Sequence, residues 1–218
     1  MIRLVKAAIR RLMMRTEKGR RMLLSYRLQF FLDENGYFRS VLEGRAVDRE
    51  GRPLPWLTYG AIAFLRKRVR PDMSVFEYGS GSSTLWWAER VARVVSYEHD
   101  LDWYNRLKDQ LPANVAYVHC PLEPGGEYAK AISTYDHAFD VVLIDGRDRV
   151  NCARNSLGAL KDGGVIVWDN TEREKYEEGY AYLLRNGFRR LDFEGLFPAA
   201  EFAGITSIFY RDGNCFGI

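Results

Sequence analysis

The segment that most limits the fold is Val75-Phe76-Glu77-Tyr78-Gly79-Ser80-Gly81-Ser82-Ser83-Thr84. It is a short β-prone run, then a glycine turn, then hydroxyl residues suited to open a helix. Gly79 and Gly81 let the backbone bend sharply and let a ligand approach it closely. Ser82, Ser83 and Thr84 can cap the helix that follows. A strand that feeds a helix through so tight a turn is the first unit of a βα alternation, which the rest of the chain continues.

The spacing predicts a helix over 58–69, stopped by Pro71, and a first strand from Ser74 to Tyr78. A helix at 82–91 leads to a second strand, Val94 to Tyr97, and a helix over 101–110 to a third, Val115 to Val118. The Gly/Pro-rich stretch from Pro121 to Gly126 precedes a fourth strand, Asp140 to Ile144. A helix near 150–160 and the pair Gly163-Gly164 lead into a fifth, Val165 to Trp168. A helix at 173–186 ends at Asn186-Gly187, and strands near 188–194 and 205–210 close the chain as an antiparallel pair. The fourth and fifth strands are unbroken apolar runs, as expected when both sheet faces are covered. The expected fold is α/β, a Rossmann-like doubly wound sheet. Ligands in such sheets sit beyond the carboxyl ends of the strands, where strand order reverses. That gathers Glu77–Thr84, Glu98–Asp100, His119–Leu122, Asp145–Arg149 and Asp169–Thr171 around one crevice.

Charge divides the chain. Residues 1–29 hold nine Lys/Arg against one acid, Glu17, a net +8, so the remainder carries −5 of the total +3. Ile2, Val5, Ile9, Leu12 and Met13 recur at helical spacing between those charges, so 1–30 reads as a basic helix and 31–56 as a connector with turns at Asn35-Gly36, Glu50-Gly51 and Pro53-Leu54-Pro55. Residues 57–218 form the expected ligand-binding domain. The apolar stretch of the arm is broken by charge and lacks a small-residue cleavage site, unlike a secretory signal. No run of 18 apolar residues predicts a spanning helix. Cys120, Cys152 and Cys215 are odd in number and scattered, which argues against a disulfide framework or a zinc site and fits a reducing cytoplasm. The arm has two open readings: a peripheral contact with an anionic membrane surface, or packing on the domain or on a second copy of the chain. No RNA- or DNA-binding module accompanies it, which argues against a nucleic-acid partner.

Glu98 ends the second strand nineteen residues beyond Gly79, where an acid can accept hydrogen bonds from both hydroxyls of a ribose. This suits any adenosyl ligand. Two features oppose a dinucleotide: Glu77 would repel a pyrophosphate while favouring a cation, and the third glycine of GxGxxG is replaced by Thr84. The ordered set Glu77-x-Gly79-x-Gly81, Glu98, Asp140-Val-Val-Leu-Ile-Asp145 and Gly163-Gly164-Val-Ile-Val resembles the motifs of the class I S-adenosylmethionine-dependent methyltransferases over about residues 57–218. The resemblance implies a seven-stranded sheet, mostly parallel, with reversal in the final strands at 188–210. It implies S-adenosyl-L-methionine as cofactor, held by Glu77, Gly79, Ser80, Gly81, Ser83, Thr84, Glu98 and His99, with His119 and Cys120 bordering the adenine and Asp145 at the reacting end.

Methyl transfer asks the protein to align an acceptor and, for a hydroxyl, to take or stabilise its proton. Asp145 and Asp169, at the ends of the fourth and fifth strands, are the candidate catalytic residues. The run from Leu143-Ile-Asp145-Gly146 to Trp168-Asp169-Asn170-Thr171 is also similar to the catechol- and caffeoyl-type O-methyltransferases. There Asp145, Asp169 and Asn170 would match the ligands of a divalent cation, Mg²⁺ or Ca²⁺ by their oxygen chemistry. The lysine base of that subgroup is replaced by Asp148. Arg147 and Arg149 can grip an acidic acceptor or pair with Asp148 and Asp145. His99, His119 and His137 have no partner visible in the sequence, and Trp86-Trp87 reads as helix packing against the sheet. Three functions stay open: a methyltransferase acting on oxygen of a small molecule or sugar-containing metabolite, a nicotinamide-dependent oxidoreductase, and a non-catalytic adapter.

Overall fold

The computed structural model describes residue 9 and residues 11–218. The expected positions Ile2 and Val5 of the basic helix lie outside the described residues. Eight helices are named in the order of the described chain: α1 (Glu17–Glu34), α2 (Tyr37–Glu43), α3 (Tyr59–Arg68), α4 (Ser82–Ala88), α5 (Leu101–Leu107), α6 (Glu127–Lys130), α7 (Arg149–Asn155) and α8 (Glu177–Arg185). The strands are β1 (Ser74–Tyr78), β2 (Arg93–Glu98), β3 (Val115–His119), β4 (Phe139–Ile144), β5 (Leu160–Asp169), β6 (Arg189–Leu196) and β7 (Ala203–Tyr210).

They form one seven-stranded sheet in the order β3-β2-β1-β4-β5-β7-β6. β1 to β5 pair in parallel, and β7 is antiparallel to both β5 and β6. The expected reversal therefore belongs to β7 alone; β6 returns to the common direction. Strand order reverses between β1 and β4, and the crevice opens there.

Alternate residues of the central strands feed two cores. Val75, Val141, Leu143, Val165 and Val167 pack with α3 and α4, including both Trp86 and Trp87. Phe76, Tyr78, Val142, Ile144, Ile166 and Trp168 pack with α6, α7 and α8 on the other face. Burial on both faces is why these strands carry no polar alternation. Gly163 and Gly164 are not a turn before β5. They lie inside it, where the register shifts between Phe139↔Leu160 and Val141↔Val165, so the glycines mark a bulge.

The connector carries more structure than its turn signals imply. It contains α2, and Ala46, Leu54 and Leu57 are buried in the core beside α3. Residues 45–57 thus bring Trp56 to the ligand end of the sheet. No described helix is long and apolar enough to cross a membrane.

Candidate active site

β1 ends at Tyr78 and the chain turns at Gly79, whose φ of +84° lies in the left-handed region that favours glycine. A Cβ at Gly79 would stand 2.7 Å from Gly146 Cα, because the loops after β1 and β4 touch here. Gly81 differs: its backbone is extended, and a Cβ would meet only Trp103 at 3.7 Å. Its bare surface keeps the crevice open rather than permitting the turn.

Beneath the loop lies Glu77, fully buried. The Gly81 N–H donates to Thr84 Oγ1 (3.0 Å), and the Thr84 hydroxyl donates to Glu77 Oε2 (2.5 Å), which also accepts from Ser96 (2.7 Å). Glu77 Oε1 has no partner. Burial pushes the Glu77 carboxyl up to about 7, against the lowering effect of hydrogen bonds from Ser83, Thr84 and Ser96. Glu77 and Thr84, expected as direct cofactor contacts, support the loop from below instead. Ser83 reaches a small adjoining cavity shared with Trp56, Ser80, Gly81, Trp103 and Asp145.

The crevice itself, about 330 Å³, is lined by Gly79, Ser80, Glu98, His99, Asp100, Trp103, Asp145, Gly146 and Arg147. Glu98 is held at four points. Oε1 accepts from the backbone N–H of His99 and Asp100 (2.8 and 2.9 Å), and Oε2 from Ser80 N–H and Ser80 Oγ (2.9 and 2.7 Å). Tyr117 OH lies 2.7 Å from Ser80 Oγ on its other side. Ser80 thus engages Glu98 Oε2 through both its backbone and its hydroxyl. The indole N–H of Trp103 donates to Ser80 O (2.9 Å) and fixes the rim. His119 faces Glu98 across the β2–β3 ladder, and Cys120 N–H donates to Glu98 O (2.8 Å), but neither side chain lines the crevice. Trp103 and Tyr117 were missed in the sequence. An aromatic in the first turn after the Glu98 strand is the only signal, and it is shared with ordinary helix packing.

A second cavity, about 310 Å³, opens beside the first and is lined by Trp56, Asp145, Asp169, Asn170, Arg173, Phe197 and Phe202. Asp145 is the residue common to both. The two expected catalytic acids therefore meet, and Asn170 with them. Asn170 adopts φ +57° at the end of β5, a conformation asparagine tolerates. Asp169 is buried; its Oδ1 accepts from Thr206 Oγ1 (2.6 Å). Burial, reinforced by the nearby Asp145 charge, raises the Asp169 carboxyl well above the usual carboxylate range. Burial also raises Asp145 to about 6, while Arg149, Arg173 and Arg147 pull it down.

Arg149 is not available to an acceptor. It is buried, its Nε donates to Gly146 O (2.9 Å), and its guanidinium spans Asp145 O, Asp145 Oδ1 and Asp169 O, tying the ends of β4 and β5 together. Arg147 faces the first crevice, and Arg173 lines the second cavity. Asp148 is engaged by Gly125 N–H (2.7 Å) and Asn151 Nδ2 (2.8 Å), which leaves it a brace, not a base.

The donor set does not suit the divalent cation. Among the described residues, no group of three or more His, Cys, Asp or Glu side chains is placed to hold a metal ion. Asp145 and Asp169 supply two carboxyls beside Asn170, but the Arg149 guanidinium already compensates their charge from below. A second full positive charge in that position would face Arg149 and Arg173 directly.

Solved structures with the same architecture decide the fold. A methyltransferase-like protein of Silicibacter pomeroyi DSS-3 is 22% identical, with a TM-score of 0.53 over 73% of this chain and 89% of that one. The precorrin-6y C5,15-methyltransferase of Geobacter metallireducens GS-15 is 17% identical, with a TM-score of 0.53 over 68% and 86%. This is the class I S-adenosylmethionine-dependent methyltransferase fold. A precorrin 8w decarboxylase of Methanobacterium thermoautotrophicum, 16% identical, matches with a TM-score of 0.52 over 76% and 96%, so the methyltransferase fold carries more than one reaction name. No family profile and no curated protein matches the chain.

Proposed function

We propose that this protein is an S-adenosylmethionine-dependent methyltransferase acting on a hydroxyl of a small molecule or sugar-containing metabolite. The observation that carries the reading is the shared wall: Asp145 lines both the crevice under the glycine loop and the second cavity. The cofactor would supply a methyl carbon already activated by a positive sulfur. Ser80, Glu98 and Trp103 would hold its nucleoside, with the Asp145 carboxyl on the wall of the same crevice.

The second cavity is suited to a compact acceptor. Trp56, Phe197 and Phe202 offer apolar faces, while Asp145, Asp169, Asn170 and Arg173 offer directed polar groups. That combination fits a ring with a C–H face and a rim of hydroxyls. Asp145, raised to about 6, is largely ionised at neutral pH yet basic enough to take the hydroxyl proton as the new C–O bond forms. Burial makes Asp169 the more weakly acidic of the two carboxyls beside the same acceptor.

Calorimetric titration with S-adenosylmethionine and, separately, NADH tests the cofactor reading on the wild type and on Glu98→Ala. Binding of the first, lost on substitution, supports it; binding of NADH alone overturns it. A screen of hydroxylated metabolites and methyl glycosides for methyl transfer then tests the acceptor class. Sulfonium binding with turnover only on amines would overturn the oxygen assignment.

A further inference from the structure

The N-terminal arm carries apolar surface that the folded body does not cover. Among the described residues, nineteen large apolar side chains are exposed, and twelve of them fall between Ile9 and Leu42. α1 buries none of its residues. Met22, Tyr26 and Phe30 line one side of it at intervals of four, and Leu24, Leu28 and Phe31 line the opposite side, all between 54% and 67% exposed. The chain before α1 folds back on it: a Cβ at Gly19 would strike Met13 O at 2.2 Å. Between the two legs runs a groove of about 640 Å³ lined by Ile9, Met13, Met22, Leu23, Tyr26 and Gln29.

A helix with apolar stripes on two opposite sides needs covering on more than one side. A bilayer surface covers one side only and would leave the opposite apolar stripe of α1 in water. The end charges point elsewhere too. Lys18, Arg20 and Arg21 outnumber Glu17, which pairs with Arg21, at the start of α1, and Asp33 and Glu34, which share Arg49, fill its last turn, which holds no base of its own. This order opposes the helix dipole. An anionic surface would attract one end and repel the other. An antiparallel copy of the same helix places each basic end, where Lys18 and Arg20 have no carboxylate partner among the described residues, beside the other's acidic end, where two carboxylates share one Arg49. The exposed apolar side chains of the arm amount to something on the order of 1,000 Å² per chain, against the ~800 Å² per partner of a standard interface.

We propose that the arm is a self-association surface, through which two chains pair antiparallel along α1, each closing the other's groove. The test is the mass of the full chain in solution at micromolar concentration, by light scattering and sedimentation. Two-chain mass is expected. Met22→Glu with Tyr26→Glu, at groove positions exposed in the single chain, is expected to give one-chain mass with unchanged circular dichroism. Arg20→Glu with Arg21→Glu is expected to weaken pairing by about tenfold or more. One-chain mass for the wild type overturns the proposal, and so does two-chain mass that survives the Met22/Tyr26 pair. Co-sedimentation of a single-chain species with phosphatidylserine vesicles would overturn it in favour of a lipid surface.

Discussion

Glu98 and Ser80 hold opposite roles across one hydrogen bond. Glu98→Ala removes the acceptor for ribose and also unpins the Ser80 backbone, so affinity for S-adenosylhomocysteine is expected to fall by about 10- to 100-fold, measured calorimetrically. Ser80→Ala frees Oε2 without disturbing the backbone bond and is expected to leave that affinity within a few-fold of wild type. Asp145 acts on the rate instead. Asp145→Asn is expected to lower kcat by about 10²- to 10⁴-fold while cofactor affinity changes little. In the wild type kcat/KM should fall as pH drops through about 6, where the base is protonated. Glu77 governs stability. Its folded-state value of about 7 lies above the ordinary 4.5, so the folded chain holds this proton more tightly than the unfolded one. The associated stability is full below the unfolded value and is lost as pH rises through about 7. Glu77→Gln should flatten the fall in melting temperature across that interval.

Elements set where these groups stand, and their legibility in the sequence follows from how local the cause is. β1, β2, β4 and the glycine loop could be read because apolar runs bounded by Gly79, Glu98 and Asp145 record both burial and turn. The β5 bulge at Gly163-Gly164 could not, since a glycine pair marks a turn or a register shift alike until the neighbour strand is known. Asp145 and Asp169 were recognisable as strand-end acids. Their cavity partners Trp56, Arg173, Phe197 and Phe202 come from three separate loops, and nothing in local sequence spacing brings those loops together. Arg149 shows the converse: a loop arginine that looks fit for an acceptor is the rivet between β4 and β5. Arg149→Met should lower stability by roughly 3–5 kcal/mol in chemical denaturation, as expected when a buried ion pair loses one partner. Arg173→Gln should leave stability nearly unchanged and raise KM for the acceptor.

At the scale of the whole molecule, charge and apolar surface are partitioned between arm and body. Removal of residues 1–33 is expected to leave S-adenosylhomocysteine affinity within about twofold, because none of the lining residues of either cavity lies there. Chelators should likewise leave both cofactor binding and turnover intact, as measured by calorimetry and product formation with and without EDTA. The wall between the two cavities carries a thermodynamic consequence. If an occupant of one space shifts the other's dissociation constant through Asp145, the second must shift the first's by the same factor, since linkage is reciprocal. A sulfonium ion and its neutral thioether product differ by one unit of charge against that wall. Acceptor titrations run over each in turn should therefore give unequal constants, and the gap should close in Asp145→Asn.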